Sequence, residues 1–271
     1  MTQTDTSSKW ADLAPRVLSA VGMAAIAIIA VALGGPVFLA VLAVVIGLCM
    51  WEFSRLIHAE ARALHVVLGV IAGVSVIYCG ITLDSPDPVA LFSLPRIAVL
   101  LGAPLVGAAL LPRHRVLFFF YAALIMLAGL GFVAMGTSQI LVWFILIIII
   151  SDVSGYFAGR LLGGPKFWPR VSPKKTWSGT IAGWIGALGL GVIGAALGAF
   201  TPVEALALPL VAFAGQMGDI VQSAIKRKMG VKDSSNLIPG HGGVLDRFDA
   251  MIGASGAMIL LITIASLSVA G

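Results

Sequence analysis

Residues 116–135, VLFFFYAALIMLAGLGFVAM, and residues 140–150, ILVWFILIIII, contain no charged side chain. The first run alone has the ~20 residues that cross about 30 Å of hydrocarbon. A helix in the core of a soluble protein would be interrupted by charge every few positions. Because a bilayer offers the backbone no hydrogen-bonding partner, such runs must be helical. These stretches predict an all-α, polytopic integral membrane protein.

The composition extends this prediction to the whole chain. Of its 271 residues, 59% are hydrophobic and only 11% are charged, with a mean hydropathy of +1.06, whereas a soluble domain has about 25% charged residues. The apolar runs predict about nine transmembrane helices. They cover residues 17–34, 36–51, 66–83, 89–111, 116–135, 138–159, 179–200, 204–229 and 248–270.

The basic residues predict an orientation. The net charge is +5, but the cations form short clusters between apolar runs, as in orienting loops, so we expect no nucleic-acid partner. If the N-terminus is cytoplasmic, all of the 17 lysines and arginines except Arg96 lie inside, and Asp84, Asp87 and Glu204 lie outside. We therefore expect a multi-pass protein of the cell inner membrane whose basic loops face the cytoplasm.

Residues 51–65 mix charged and apolar side chains. They could form an amphipathic helix at the membrane interface or a solvated connector, and we favour the connector.

The first polar constellation lies at the end of the sixth apolar run. Asp152, Tyr156 and Arg160 recur every four residues and share a helix face. An ionisable residue within a span indicates function by default, although a structural Asp–Arg contact would also explain the pattern. Gly155 and Gly159 add a spacing that permits close helix packing.

The next segment, Ser172-Pro-Lys-Lys-Thr-Trp-Ser-Gly179, places Lys174 and Lys175 beside hydroxyls and a predicted helix start. This suits phosphate binding, but an ordinary basic loop fits the lysines equally well. We expect Ser178 to cap the following helix. Residues 159–166 are not a P-loop, because Pro165 and Lys166 stand where Lys and Ser/Thr are required.

The eighth apolar run carries a polar stripe at helical spacing, which must face protein or water rather than lipid. The stripe consists of Gln216, Asp219, Gln222, Ser223, Lys226 and Arg227. A purely structural role for these residues remains an alternative.

The stripe leads into the long loop of residues 230–247, here called the glycine loop, in which Gly240, Gly242 and Gly243 flank His241. Glycines free the backbone to wrap an anion with its N–H groups. Asp246 and Asp249, one helical turn apart, can converge with Asp219 and Asp152. Carboxylates with few histidines suit a hard cation such as Mg²⁺, and cations beside Mg²⁺ indicate polyphosphate. The residues thus predict phosphoryl or nucleotidyl transfer at the cytoplasmic face.

Residues 223–249, SAIKRKMGVKDSSNLIPGHGGVLDRFD, resemble the signature of the phosphatidate cytidylyltransferase (CDP-diacylglycerol synthase) family. Residues 152–160 and 172–176 are similar to further segments of that family, so the resemblance covers about the C-terminal 120 residues. One departure is Ser178, where many relatives have an acidic residue. The resemblance divides the chain into N-terminal helices, 1–135, as a scaffold and candidate surface for lipid entry or homo-oligomer formation, and a catalytic region, 136–271.

The resemblance implies Mg²⁺-dependent condensation of CTP with phosphatidic acid to CDP-diacylglycerol and pyrophosphate. It assigns metal binding to Asp219 and Asp246, with Asp249 and Asp152 as further candidates. It assigns catalysis to Asp219, Asp246, Lys226, Arg227 and His241. The expected substrate-binding residues are Tyr156, Arg160, Ser172, Lys174, Lys175, Thr176, Ser223, Lys232, Gly242, Gly243 and Arg247.

Two rival functions remain at this point. A cytidylyltransferase acting on an isoprenoid-type lipid would use the same chemistry. An ion-coupled transporter would explain Asp152 and Asp219 but leaves the glycine loop and the clustered cations without a role.

Overall fold

The structure is a computed structural model that describes residues 13–83 and 88–270. Lys9, Asp84 and Asp87, which entered the prediction of orientation, lie outside the described residues. The helices are α1 Leu13–Leu33, α2 Gly35–Ile57, α3 Arg62–Thr82, α4 Pro88–Leu91, α5 Leu94–Leu100, α6 Gly102–Leu110, α7 Arg115–Met135, α8 Gln139–Leu161, α9 Trp177–Ala196, α10 Pro202–Lys228 and α11 Leu245–Ala270. A two-stranded antiparallel hairpin, β1 Lys166–Trp168 and β2 Ser172–Thr176, separates α8 from α9.

Eight of the helices in the described ranges are long and apolar enough to cross a membrane, and Leu94–Leu110 forms a shorter apolar stretch. The all-α polytopic class and the count of about nine are therefore confirmed. The hairpin was not predicted and lies within the basic loop expected between the sixth and seventh spans.

The fourth predicted span is not a single helix, since residues 89–111 form parts of α4, α5 and α6. Pro104 has no N–H to give to the carbonyl of Leu100, so the helix ends there. Arg96 is buried, and its guanidinium donates to Thr82 Oγ1 at 3.2 Å and to the carbonyls of Ala90 and Thr82. These backbone acceptors account for the cation that interrupts the apolar run.

The prediction of a solvated connector at residues 51–65 is wrong except at residues 58–61, since residues 62–65 already belong to α3. Helix α2 continues to Ile57, and Glu52, Phe53 and Ser54 are buried. Phe53 stacks on Phe118 of α7 with ring centroids 5.1 Å apart. The apolar face of the helix therefore continues beyond the run that defined the span.

Glycines set the closest helix contacts. A Cβ on Gly47 of α2 would lie 2.9 Å from the carbonyl oxygen of Gly69 on α3. Gly218 of α10 and Gly253 of α11 approach as closely, and a Cβ on Gly218 would collide with the carbonyl of Asp249. This contact brings the carboxylate-bearing turns of α10 and α11 together.

The segments predicted to share one membrane face lie at one end of the bundle. Glu52 of α2 contacts Ser234 of the glycine loop, and Lys175 of β2 contacts Gln216 of α10. At the other end Gly34 lies against Thr137. The arrangement agrees with the alternation of loops that the charge pattern predicts.

Candidate active site

Two adjoining cavities open at the end of the bundle that carries the hairpin. The first, the hairpin cavity, has a volume of about 450 Å³ and lies between α8, β2, α9 and α10. The second, the carboxylate cavity, has a volume of about 310 Å³ and lies between α8, α10, the glycine loop and α11. Asp152 and Asp219 line both, so the two cavities share a wall.

The hairpin cavity contains the residues predicted from the sixth span and the lysine segment. Arg160 donates to the Tyr156 hydroxyl at 2.8 Å, which orients both side chains on the exposed end of α8. Lys174 and Lys175 come from β2. The predicted substrate-binding residues in this wall are Tyr156, Arg160, Lys174, Lys175 and Thr176.

Thr176 begins helix α9, and its side chain accepts from the N–H of Gly179 at 3.2 Å. The prediction that Ser178 caps this helix is therefore wrong. The Ser178 hydroxyl instead donates to the carbonyl of Gly163 and lies 3.0 Å from Thr176 Oγ1. Ser178 joins the loop after α8 to the start of α9.

Asp219 stands between the two cavities and remains partly open. Its Oδ2 lies 2.5 Å from Lys175 Nζ, and 33% of its side chain is exposed. Lys175 also donates to the carbonyl of Gln216 at 3.3 Å, one turn earlier on α10. The other oxygen of Asp219 accepts from Ser223 at 3.4 Å. A buried amide network formed by Gln216 with Ser151 and Trp184 supports this turn of the helix.

Asp246 has a different environment, with only 3% of its side chain exposed. Oδ1 accepts from Lys226 Nζ at 2.6 Å and from Gln222 Nε2 at 3.1 Å. Oδ2 lies 2.8 Å from both the N–H and the hydroxyl of Ser234 and 2.9 Å from the N–H of Gly243. A carboxylate has about four lone-pair sites, so these donors occupy Asp246 fully and join the glycine loop to α10 and α11.

Asp249 and Asp152 complete the carboxylate cavity. Asp249, Asp219 and Asp152 line this cavity together, and Asp152 and Asp219 also line the hairpin cavity with Lys175. Like charges about 4 Å apart repel by up to ~4 kcal/mol at an effective dielectric of about 20. Asp233 also lines this cavity. The concentration of carboxylates favours a bound cation.

In the described ranges, no three His, Cys, Asp or Glu residues are close enough to hold a metal by themselves. Mg²⁺ usually takes one or two carboxylates and completes its shell with water and substrate phosphates, so it does not require such a cluster. The open carboxylates of Asp219, Asp249 and Asp152 suit such a role. Asp246 would first have to release one of its donors.

The remaining predicted residues divide by position. Lys226 and Arg247 line the carboxylate cavity, and Gly242 and Gly243 lie against Asp246. Gly242 has φ +82°, a backbone conformation that favours glycine. Ser172, Ser223 and Lys232 lie outside the lining of both cavities.

His241 and Arg227 do not line either cavity. The Nδ1 atom of His241 lies 2.7 Å from the hydroxyl of Ser19, which also donates to the carbonyl of Pro239 at 3.0 Å. Arg227 donates to the carbonyl of Val231 at 3.0 Å and closes the end of α10. In this arrangement both residues hold the glycine loop, and their predicted catalytic roles stay predictions.

Sequence reasoning missed Glu52 and Gln222 as parts of the site. Gln222 belongs to the predicted stripe but received no role, although its amide joins Asp246 to Tyr121 of α7. Glu52 fell in the supposed connector. A signal was present, because Phe53, Leu56 and Ile57 continue the apolar helical spacing past Trp51 and make Glu52 part of a helix.

The fold and the site together describe a polytopic helical membrane protein with lysines and carboxylates gathered in paired cavities at one end. Residues 14–265 match the profile of the Cytidylyltransferase family. The chain belongs to that family.

Several proteins with assigned names are similar to part of this chain. The chain is 48% identical over 115 residues to the phosphatidate cytidylyltransferase of Brucella abortus (strain 2308), which covers 41% of this chain and 42% of that protein. It is 45% identical over 106 residues to the phosphatidate cytidylyltransferase of Bacillus subtilis (38% and 39%) and 41% identical over 125 residues to that of Helicobacter pylori (45% and 46%). The aligned part thus spans less than half the length of these relatives.

Proposed function

We propose that the protein is a phosphatidate cytidylyltransferase, which condenses CTP with phosphatidic acid to give CDP-diacylglycerol and pyrophosphate. The observation that carries this proposal is the shared wall of the two cavities, where Lys175 meets Asp219 beside Asp152 and Asp249. A site for two phosphate-bearing substrates needs cations for the phosphates and carboxylates for a metal. The names of the relatives support the same substrates.

The reaction forms one bond and breaks one bond. A phosphate oxygen of phosphatidate attacks the α-phosphorus of CTP, the α–β phosphoanhydride bond breaks, and pyrophosphate leaves with the bonding electron pair. A phosphomonoester has a second pKa near ~6, so its oxygen is already a nucleophile at neutral pH. No strong general base is required, which agrees with the position of His241 outside both cavities.

The barrier lies in bringing two anions together. Each pair of like charges about 4 Å apart costs up to ~4 kcal/mol at an effective dielectric of about 20. Lys174, Lys175 and Arg160 in the hairpin cavity and Lys226 and Arg247 in the carboxylate cavity offset this repulsion. Cations fixed before the reaction stabilise the transition state without rearrangement.

The enzyme uses Mg²⁺ in this proposal, and the residues present fit it. Asp219 with either Asp249 or Asp152 would hold the ion together with substrate phosphates, and Asp246 is a further candidate ligand once a donor withdraws. When bound, Mg²⁺ neutralises phosphate charge and stabilises the attacking and leaving oxygens. Lys175 orients Asp219 through their ion pair.

The site faces the cytoplasm in this proposal, and the protein resides in the cell inner membrane. The distribution of basic residues supports this orientation. Single cysteines introduced at Thr137 and Asn236, both exposed, should react with an impermeant thiol reagent from opposite sides of sealed vesicles. The native Cys49 and Cys79 are buried and serve as the unreactive background. Reaction of both positions from the same side would contradict the topology.

The substrate assignment is tested with purified protein in detergent. CTP should release pyrophosphate with phosphatidic acid and not with a polyprenyl phosphate of matched concentration. Release with the polyprenyl phosphate alone would identify the isoprenoid-type alternative. Release with neither lipid, from protein that remains monodisperse, would contradict a cytidylyltransferase function.

A further inference from the structure

The carboxylate of Glu52 lies against the first turn of α11, although the two residues that it contacts there are almost 200 positions away. Its Oε1 accepts from the N–H of Val244 at 3.0 Å and its Oε2 from the N–H of Leu245 at 2.7 Å. These groups have no acceptor within their own helix. A side chain from α2 therefore caps the helix that carries Asp246 and Asp249.

The same carboxylate holds the glycine loop. Ser235 donates to Oε1 at 2.6 Å, and the hydroxyl of Ser234 lies 3.2 Å from Oε2. Ser234 Oγ is also 2.8 Å from Asp246 Oδ2, so its single proton is shared between the two carboxylates. Glu52 and Asp246 thus hold the loop from both sides.

Glycine at position 243 is a consequence of this arrangement. A Cβ there would lie 2.5 Å from Oε2 and 2.7 Å from Oε1 of Glu52. The backbone has to approach the carboxylate closely for its N–H groups at Val244 and Leu245 to reach it.

The charge of Glu52 is balanced in an unusual way. Its side chain is 0% exposed, and the two ion pairs within the described residues join Lys175 to Asp219 and Lys226 to Asp246. Glu52 instead meets four neutral donors, including the N–H groups at the positive end of the α11 dipole. A glutamine could not replace Glu52, because the amide nitrogen of glutamine is a donor and would lie against N–H and O–H groups that are donors themselves.

We propose that Glu52 is a positioning residue for the transferase site, and this inference rests on the proposed function. It fixes the start of α11 and the glycine loop, and through them the places of Asp246 and Asp249 relative to Asp219. It contacts neither substrate nor metal in this role. The N-terminal helices therefore contribute to catalysis through one buried carboxylate.

The test compares Glu52→Gln with Ser54→Ala in the purified full-length protein. Ser54 is a matched control, because it is equally buried on the same helix and, within the described residues, its hydroxyl bonds to the carbonyl of Trp51 alone. The first readout is the Mg²⁺ dependence of turnover with CTP and phosphatidate. Loss of such an indirect partner typically costs about 10-fold to 100-fold in metal affinity or activity, so we expect Glu52→Gln to raise the half-saturating Mg²⁺ concentration or to lower kcat by that factor. Ser54→Ala should stay within about twofold of the wild type.

The second readout is hydrogen–deuterium exchange of residues 232–248, which does not depend on activity. Glu52→Gln should expose the amides of this segment to faster exchange, whereas the peptides of α8 and α9 keep their protection. Ser235→Ala removes one of the four donors and should give a smaller change in the same direction, so the inference can be tested even if Glu52→Gln does not fold.

The outcomes separate the inference from the proposed function. Faster exchange with turnover and Mg²⁺ dependence unchanged would make Glu52 a purely structural cap and overturn the inference. Unchanged exchange and unchanged turnover would overturn it as well. A wild-type protein that makes no CDP-lipid would instead contradict the proposed function, whatever the exchange of the variants.

Discussion

The surroundings of Asp219 and of Asp246 differ although both carboxylates line the carboxylate cavity. Asp219 has one lysine and one hydroxyl and is one-third exposed to the cavities. Asp246 has five donor contacts and is nearly closed to solvent. The first environment leaves lone pairs for an incoming cation, and the second uses them to fix the glycine loop. Two aspartates that the sequence does not distinguish can thus suit different roles. Asp219 suits cation binding, whereas Asp246 supports the glycine loop.

Asp219→Asn should have the largest effect on turnover. Removal of an open carboxylate from a metal and phosphate site should lower kcat by about three orders of magnitude or more, with a weakened or shifted Mg²⁺ requirement. The melting temperature in detergent should change little, because the residue is partly exposed and Lys175 can reach solvent. Activity and thermal unfolding are measured on the same preparation. A variant that aggregates but keeps the wild-type Mg²⁺ dependence in its surviving fraction would indicate a structural role.

Asp246→Asn should reduce turnover by about a hundredfold or more and, unlike Asp219→Asn, also destabilise the fold. Lys226 would remain buried without its counter-charge, and breaking a buried ion pair costs about 3–5 kcal/mol. Thermal unfolding with and without Mg²⁺ distinguishes the two aspartates. A stable Asp246→Asn protein that has lost only its Mg²⁺ response would assign this residue to direct metal binding, as the sequence predicted, and remove the contrast.

Lys175→Met should weaken catalysis by about 10-fold to 100-fold. The change removes a phosphate-neutralising charge from the hairpin cavity and releases Asp219 from its ion pair. The steady-state KM values for CTP and phosphatidate report the loss. Lys166→Met on the neighbouring strand is the control, because Lys166 is exposed and lines neither cavity. Equal effects of the two substitutions would mean that only the net charge of the hairpin matters.

The smallest effect is expected for Ser178→Ala, which should keep turnover within about threefold. Thr176 is the cap of α9, so Thr176→Ala should cost about 1 kcal/mol of stability, and Ser178→Ala should cost less. Chemical denaturation in mild detergent compares the two variants. A hundredfold loss of turnover in Ser178→Ala would assign this position a direct role in the reaction.

The spans could be predicted because their signal is local. An uncharged run such as residues 116–135 has one stable state in a bilayer, which is a helix. The broken fourth span was harder to predict, since its structure depends on Arg96 finding carbonyl acceptors on α3 and α4. The sequence shows that a cation interrupts the apolar run, but it does not show which carbonyl groups will accept its hydrogen bonds.

The sequence predicted most of the residues that belong to the site but only part of how they contact one another. The stripe of α10 and the pair Asp246 and Asp249 follow from helical spacing. The ion pair of Lys175 with Asp219 joins residues 44 positions apart in the sequence, and no helical or strand periodicity relates them. Glu52 was missed for the same reason, because its partners are brought to it by the packing of α2 against α7 and α11.

Positional labelling of CTP tests the central claim most directly. With phosphatidic acid and Mg²⁺, label at the α-phosphorus should enter the organic-soluble lipid, and label at the γ-phosphorus should appear in water-soluble pyrophosphate. Asp219→Asn should abolish both transfers. Transfer of the γ-label to the lipid, or no transfer of either label by folded wild-type protein, would contradict nucleotidyl transfer at this site.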